Sequence, residues 1–251
     1  CSYDRGGYAW SDPGTVPRTF AQLALELHTA LVKLGERPPY LLVGQSYGGL
    51  VVRGFYRAYP AEVAGMVLVD AVHEDQRVVY GGQPHRIRDG AQGRVAPRPR
   101  IALDSAAVAE AARTPARAIE PLEAPLDRLP PEAQRLWQWA AARPGADAAS
   151  SRETDWSPEE LARMHEERLA NRATLGDLPL IVLARGAGGY PDGMSVSADS
   201  LERERRALQA DLAALSKRGR LTFVSQSGHN IHVEDPAAVI AAIHELVAAR
   251  H

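Results

Sequence analysis

The sequence has one cysteine, Cys1, in 251 residues. That excludes an intrachain disulfide framework and any cysteine-rich zinc or iron–sulfur site. No apolar run approaches the roughly 18 residues that a membrane-crossing helix needs, so no membrane span is expected. Neither sign of charge dominates: 29 lysines and arginines face 31 aspartates and glutamates, a formal net charge of −2. A protein built to hold nucleic acid would carry a basic surface, so nucleic acid is not an expected partner. The one basic run, Arg86, Arg88, Arg94, Arg98 and Arg100, reads as a solvated loop. The first residue is not methionine, and Cys1 to Gly7 has neither the basic start nor the apolar stretch of a signal peptide. These residues read as the tail of a strand. The chain is expected to begin inside its fold, with a cytoplasmic location favoured.

What is present is an alternation of two periods. Phe20, Leu23, Leu27, Leu31 and Leu34 recur at three- and four-residue steps, which predicts an amphipathic helix opening at Thr19 and ending at Gly35. Tyr40 to Val43 is a short apolar run that reads as a buried strand, residues 47–58 read as a helix closed by Pro60, and Met66 to Val69 reads as a second strand. Leu180 to Leu183 and Leu221 to Val224 repeat the pattern late in the chain, with a closing helix from Pro236. Strands alternating with helices predict an α/β class with a mostly parallel sheet.

Residues 73–177 differ. They are rich in Ala, Arg and Pro and carry helical pieces but no long apolar strand. We expect a helical cap insertion there, between core segments 1–72 and 178–251, with residues 81–100 as a linker. The clearest helix start is Trp156-Ser157-Pro158-Glu159-Glu160-Leu161. Ser157 is the expected cap, Pro158 the first helical position, Glu160 the partner in a capping box, and Trp156 the staple against Leu161.

The sharpest chemical signal is Gly44-Gln45-Ser46-Tyr47-Gly48-Gly49, lying between the predicted strand and helix. A serine on such a turn has its Oγ lifted out of the sheet edge, and the flanking glycines are expected to avoid collisions with the adjoining strand and helix. The following helix N-terminus and the Tyr47 backbone N–H would face a developing oxyanion. A serine nucleophile needs a base. Ser227-Gly228-His229-Asn230-Ile231-His232 follows the last strand, and His229 is preferred to His232 because it lies closer to the strand end.

Together with Tyr3-Asp4-Arg5-Gly6-Gly7-Tyr8-Ala9-Trp10-Ser11 and Val67-Leu68-Val69-Asp70, these segments resemble the α/β-hydrolase superfamily of esterase- and lipase-like enzymes. The resemblance implies an α/β-hydrolase fold whose first strands precede Cys1, with Ser46 as nucleophile and His229 as general base. It implies a small-molecule carboxylic ester as substrate and no metal or organic cofactor. Two departures stand out. The H-G oxyanion loop that the family places upstream does not occur after Cys1. The acid expected three residues after a strand-closing glycine is also absent, because Gly189 follows Gly186 at that offset. The resemblance then offers Asp70, at the other position the family uses, with Asp192 and Asp199 behind it. A relative that kept the fold without catalysis is the competing expectation. Oligomeric state is not legible.

Overall fold

The computed structural model describes residues 1–102, 105–190 and 193–249. Local chemistry accounts for the first helix, α1 (Phe20–Leu34). The Thr19 side-chain oxygen accepts from the Gln22 amide at 3.2 Å, and Gly35 ends the helix at φ 75°, a left-handed conformation that glycine adopts without steric cost. Strand β1 (Tyr40–Gln45) follows, then α2 (Gly48–Ala58) and β2 (Val63–Val69). Helices α1 and α2 pack closely: a Cβ on Gly54 would lie 2.7 Å from Phe20 Cβ.

The next segment opens with a hairpin rather than a helix. Strands β3 (Arg77–Tyr80) and β4 (Gln83–Arg86) pair antiparallel around Gly81 and Gly82, both at positive φ. A two-residue turn of that hand matches the twist of paired strands, and two glycines supply it without strain. Part of the expected linker is therefore regular structure. The remainder is held by side chains: Gln22 exchanges two hydrogen bonds with the Arg100 backbone, and Arg94 pairs with Asp155 and Glu159. Helices α3 (Ser105–Arg113), α4 (Pro131–Ala141), α5 (Gly145–Asp155) and α6 (Ser157–Ala170) follow.

The capping box expected at Ser157 does not form. Trp156, the only residue between α5 and α6, is itself in helical conformation, and its carbonyl accepts from the Glu160 amide at 3.0 Å, the donor that a Ser157 cap would have taken. The Ser157 hydroxyl donates back to the Glu153 carbonyl, and Trp156 lies under the Arg94 guanidinium rather than stapling to Leu161. Glu160 accepts from Arg163 of its own helix and also, at 3.1 Å, from the Phe20 amide, capping α1 across the chain.

Strand β5 (Leu180–Arg185), α7 (Ala198–Ala213), β6 (Gly219–Val224), the short α8 (Ile231–Glu234) and α9 (Pro236–Ala248) complete the order. The sheet runs β1-β2-β5-β6, with every pair parallel. Alternation along β2 divides the core. Met66 and Leu68 join Phe55 and Leu212 on one face, while Val67 and Val69 join Val239 and Leu246 of α9 on the other. In register, Gln45 lies opposite Val69, and Val69 opposite Leu183, so all these strands release their chains at one edge.

Just beyond β2, a buried ionic joint ties this sheet edge to α6. Glu74 is fully buried and bonds Arg53 of α2 at 2.9 Å and Arg168 of α6 at 2.8 Å. His73 beside it is equally buried. Its Nδ1 accepts from the Asp75 amide at 3.0 Å, and its Nε2 has no hydrogen-bond partner among the described residues. Burial, opposed by the neighbouring Glu74 carboxylate, pushes the His73 imidazole down to about 4. The folded protein thus holds this ring neutral, while the unfolded chain takes a proton below its ordinary value of 6.5. Stability from this group is complete above that value and falls by about 3 kcal/mol as pH drops towards 4. His73→Asn keeps an acceptor for the Asp75 amide but cannot titrate. Urea unfolding at pH 7 and pH 4.5 should show a smaller loss in this variant than in the wild type. Equal losses would remove His73 from the acid sensitivity.

Candidate active site

The turn after β1 is strained and firmly held. Ser46 has φ 53°, a conformation that non-glycine residues rarely adopt. Its amide donates to the Val69 carbonyl at 3.1 Å, and its carbonyl accepts from the Gly49 and Val72 amides at 3.0 and 3.1 Å. Two of the surrounding glycines are sterically required. A Cβ on Gly44 would meet the Gly48 carbonyl oxygen at 2.5 Å, and one on Gly49 would meet Ala71 Cβ at 2.4 Å. Gly48 is different, with nothing within 4 Å of such a Cβ. The expectation of collisions therefore holds for its neighbours and not for Gly48. The Tyr47 amide, at the start of α2, has no acceptor among the described residues, as befits the unpaired donors of a helix N-terminus.

Asp70 leaves β2 next to this turn, also at positive φ (38°), with its amide bonded to the Leu183 carbonyl at 2.7 Å. Its side chain is buried. One carboxylate oxygen, Oδ2, accepts from His229 Nδ1 at 2.7 Å; the other, Oδ1, accepts from the Arg185 amide at 3.1 Å and Arg205 Nη1 at 2.9 Å. Burial pushes this carboxyl up. The His229 bond, the Arg185 amide and the Arg205 charge outweigh burial and hold it below its ordinary value.

His229 comes from the loop after β6, and that loop is pinned to the end of β5. The Ser227 carbonyl accepts from the Gly186 and Ala187 amides, an approach that needs glycine at 186 because a Cβ there would lie 2.5 Å from Ser225 Cα. With its Nδ1 proton given to Asp70, the ring presents an Nε2 lone pair. Gln45 takes it: the Gln45 amide nitrogen lies 3.2 Å from His229 Nε2 and donates to the His229 carbonyl at 3.3 Å. Ser46 Oγ makes no hydrogen bond among the described residues.

Of the other residues singled out by sequence, His232 lies exposed on α8 and Asp199 lies exposed in the first turn of α7. Neither bonds to His229. Asp192 lies outside the described residues. Arg205 and the Arg185 amide carry no motif, and Gln45, although inside the Gly44–Gly49 segment, stands at a position to which that motif gives no role. A buried carboxylate, Glu153 of α5, was also not legible. It takes Arg5 in a two-pronged bond (2.9 and 2.8 Å) and Tyr8 at 3.2 Å, while its carbonyl accepts from the Tyr47 hydroxyl at 3.2 Å. This fastens α5 to the N-terminal segment and to the residue after Ser46.

A cavity of about 430 Å³ adjoins the histidine loop at Asn230 and is lined by Leu122, Pro125, Leu126 and Trp137. Trp139 packs against Trp10 with ring centroids 4.6 Å apart and the planes tilted by 36°. Among the described residues no group of three or more His, Cys, Asp or Glu side chains could hold a metal ion, and no helix is long and apolar enough to cross a membrane.

A parallel sheet that gathers a strained serine turn, a carboxylate and a histidine loop at one edge defines an α/β-hydrolase architecture. The chain belongs to the alpha/beta hydrolase family, whose model matches residues 2–242. It is 22% identical over 245 residues to the uncharacterized protein YqjL of Bacillus subtilis, covering 98% of this chain and 71% of that one. A stretch of 76 residues is 38% identical to an uncharacterized vacuolar membrane protein of Saccharomyces cerevisiae, 30% of this chain but only 12% of the yeast protein. The fold also matches a solved thermophilic esterase from Thermogutta terrifontis at a TM-score of 0.59 and 20% identity, covering 99% of this chain and 79% of that one.

Proposed function

We propose that the protein is a serine hydrolase of carboxylic esters, with residues 73–177 as a cap over the sheet edge. The observation that carries this reading is the 2.7 Å bond between Asp70 and His229 beside a strained serine turn. Asp70 holds the imidazole in the tautomer whose Nε2 can accept a proton. Ser46 Oγ attacks the ester carbonyl as its proton passes to Nε2. The resulting oxyanion faces the Tyr47 amide, and the imidazolium returns the proton to the departing alcohol. Water, activated by the same nitrogen, then releases the acid. Before the first step Nε2 must exchange the Gln45 amide for the Ser46 hydroxyl. Leu126 and Trp137 offer an apolar wall for part of the substrate.

A fluorophosphonate probe tests this directly, since it phosphonylates only a serine with a working base. Peptide mapping should find the probe on Ser46 and nowhere in the Ser46→Ala variant. The occupied Nε2 favours a second reading, a ligand-binding relative that does no chemistry. Folded protein that binds the probe nowhere would support that one and sink the first.

A further inference from the structure

Arg205 sits where the proposed mechanism has no evident use for a cation. It projects from α7, is only 3% exposed, and has all three guanidinium nitrogens hydrogen-bonded. Nη1 bonds Asp70 Oδ1 at 2.9 Å, Nη2 bonds the Arg185 carbonyl at 2.9 Å and Glu202 at 2.7 Å, and Nε bonds both Glu202 oxygens. Glu202 is steadied in turn by Arg185 Nη2 at 3.0 Å. A file of alternating charge, Glu202, Arg205, Asp70, therefore ends at the imidazole of His229.

Two physical consequences follow. Oδ1 is tied by two donors, so the carboxylate cannot rotate and Oδ2 stays aimed at Nδ1. A guanidinium fork fixes such a plane better than a flexible ammonium does. The Arg205 charge also offsets part of the field that Asp70 exerts on the ring. An imidazolium gains less from a carboxylate that already faces a cation than from a lone one. We propose that Arg205 is a positioning residue that aims Asp70 at His229 and, by partly neutralising it, keeps His229 available as a base at lower pH, with Glu202 opposing that effect. This rests on the serine-hydrolase reading for its meaning but not for its test.

Among the described residues, the other titratable or charged groups around this corner include Arg185 with its ring partner Tyr190, Glu204 of α7, and His232 and Glu234 from α8. They stay constant in the variants below. The primary readout is the NMR titration of the His229 ring, which needs no catalysis, assigned with His229→Gln. Arg205→Met should move its midpoint to higher pH by on the order of one unit. Arg205→Lys keeps the charge and should stay near the wild type, while Glu202→Gln should move the midpoint the other way. Fluorophosphonate labelling of Ser46 should shift its acid limb in the same directions, with a plateau at least roughly tenfold lower in Arg205→Met. An unmoved midpoint in folded Arg205→Met overturns the proposal. If that variant does not fold, Glu202→Gln decides by its sign. Labelling that fails in the wild type while the midpoints shift would overturn the hydrolase reading and leave this one standing.

Discussion

Ser46→Ala is expected to lower kcat for p-nitrophenyl acetate by roughly 10⁵–10⁶-fold while leaving the fold intact. The structure separates these two outcomes. Ser46 Oγ holds no other group in place, so its removal breaks no hydrogen bond. The turn is maintained by backbone bonds to Val69, Gly49 and Val72, which alanine keeps. Alanine also retains the φ 53° strain, whereas glycine relieves it. Ser46→Gly should therefore be equally inactive but more stable than Ser46→Ala by about 1 kcal/mol. Circular dichroism and urea unfolding beside the ester assay check both statements. Activity within a few-fold of wild type in either variant would remove Ser46 from the mechanism.

Asp70→Asn should cost up to roughly 10⁴-fold in kcat, and the reason is specific to this site. The Arg185 amide and Arg205 Nη1 both donate to Oδ1, so that position demands an acceptor. In asparagine only the carbonyl oxygen can satisfy them. The amide NH₂ is then forced to face His229, where it donates to Nδ1 and drives the ring proton onto Nε2. A protonated Nε2 cannot accept from Ser46. The defect should therefore appear in kcat and in the labelling rate across the whole pH range, with little change in secondary structure. Asp199→Asn, altering an exposed carboxylate at the start of α7, should leave the rate within about two-fold of wild type. The opposite ranking of the two variants would exclude Asp70 as the residue that orients the base.

Legibility in the sequence tracked the range of the forces involved. Helix α1 was readable at both ends because Thr19 and Gly35 act within one turn of themselves. The hairpin at 77–86 carries half a signal: Arg77-Val78-Val79-Tyr80 is β-prone and two glycines follow it, but Gln83-Pro84-His85-Arg86 has no strand preference and contains a proline. The start of α6 misled for a different reason. Ser157, Pro158 and Glu160 form a sound local capping pattern, yet α5 runs almost unbroken into α6, and Glu160 is used to cap α1, 140 residues away in sequence. A local rule cannot see a partner that the fold supplies.

The same division runs through the site. By itself the sequence determined the alternation of elements, the parallel sheet and the serine between a strand and a helix, since periodicity and a tight glycine turn are properties of contiguous residues. Only tertiary structure decided which carboxylate meets His229. Asp70 lies 159 positions from that histidine, and the two touch because β2 and β6 flank β5 in a parallel sheet and end at one edge. Nor could sequence locate Arg205 or Gln45 at the ends of this pair, because a buried ion pair and a side-chain amide leave no periodic trace. Their positions follow from α7 packing beside that edge, where the buried Asp70 carboxylate would be costly if unpaired, and from β1 ending there next to the exposed His229 ring.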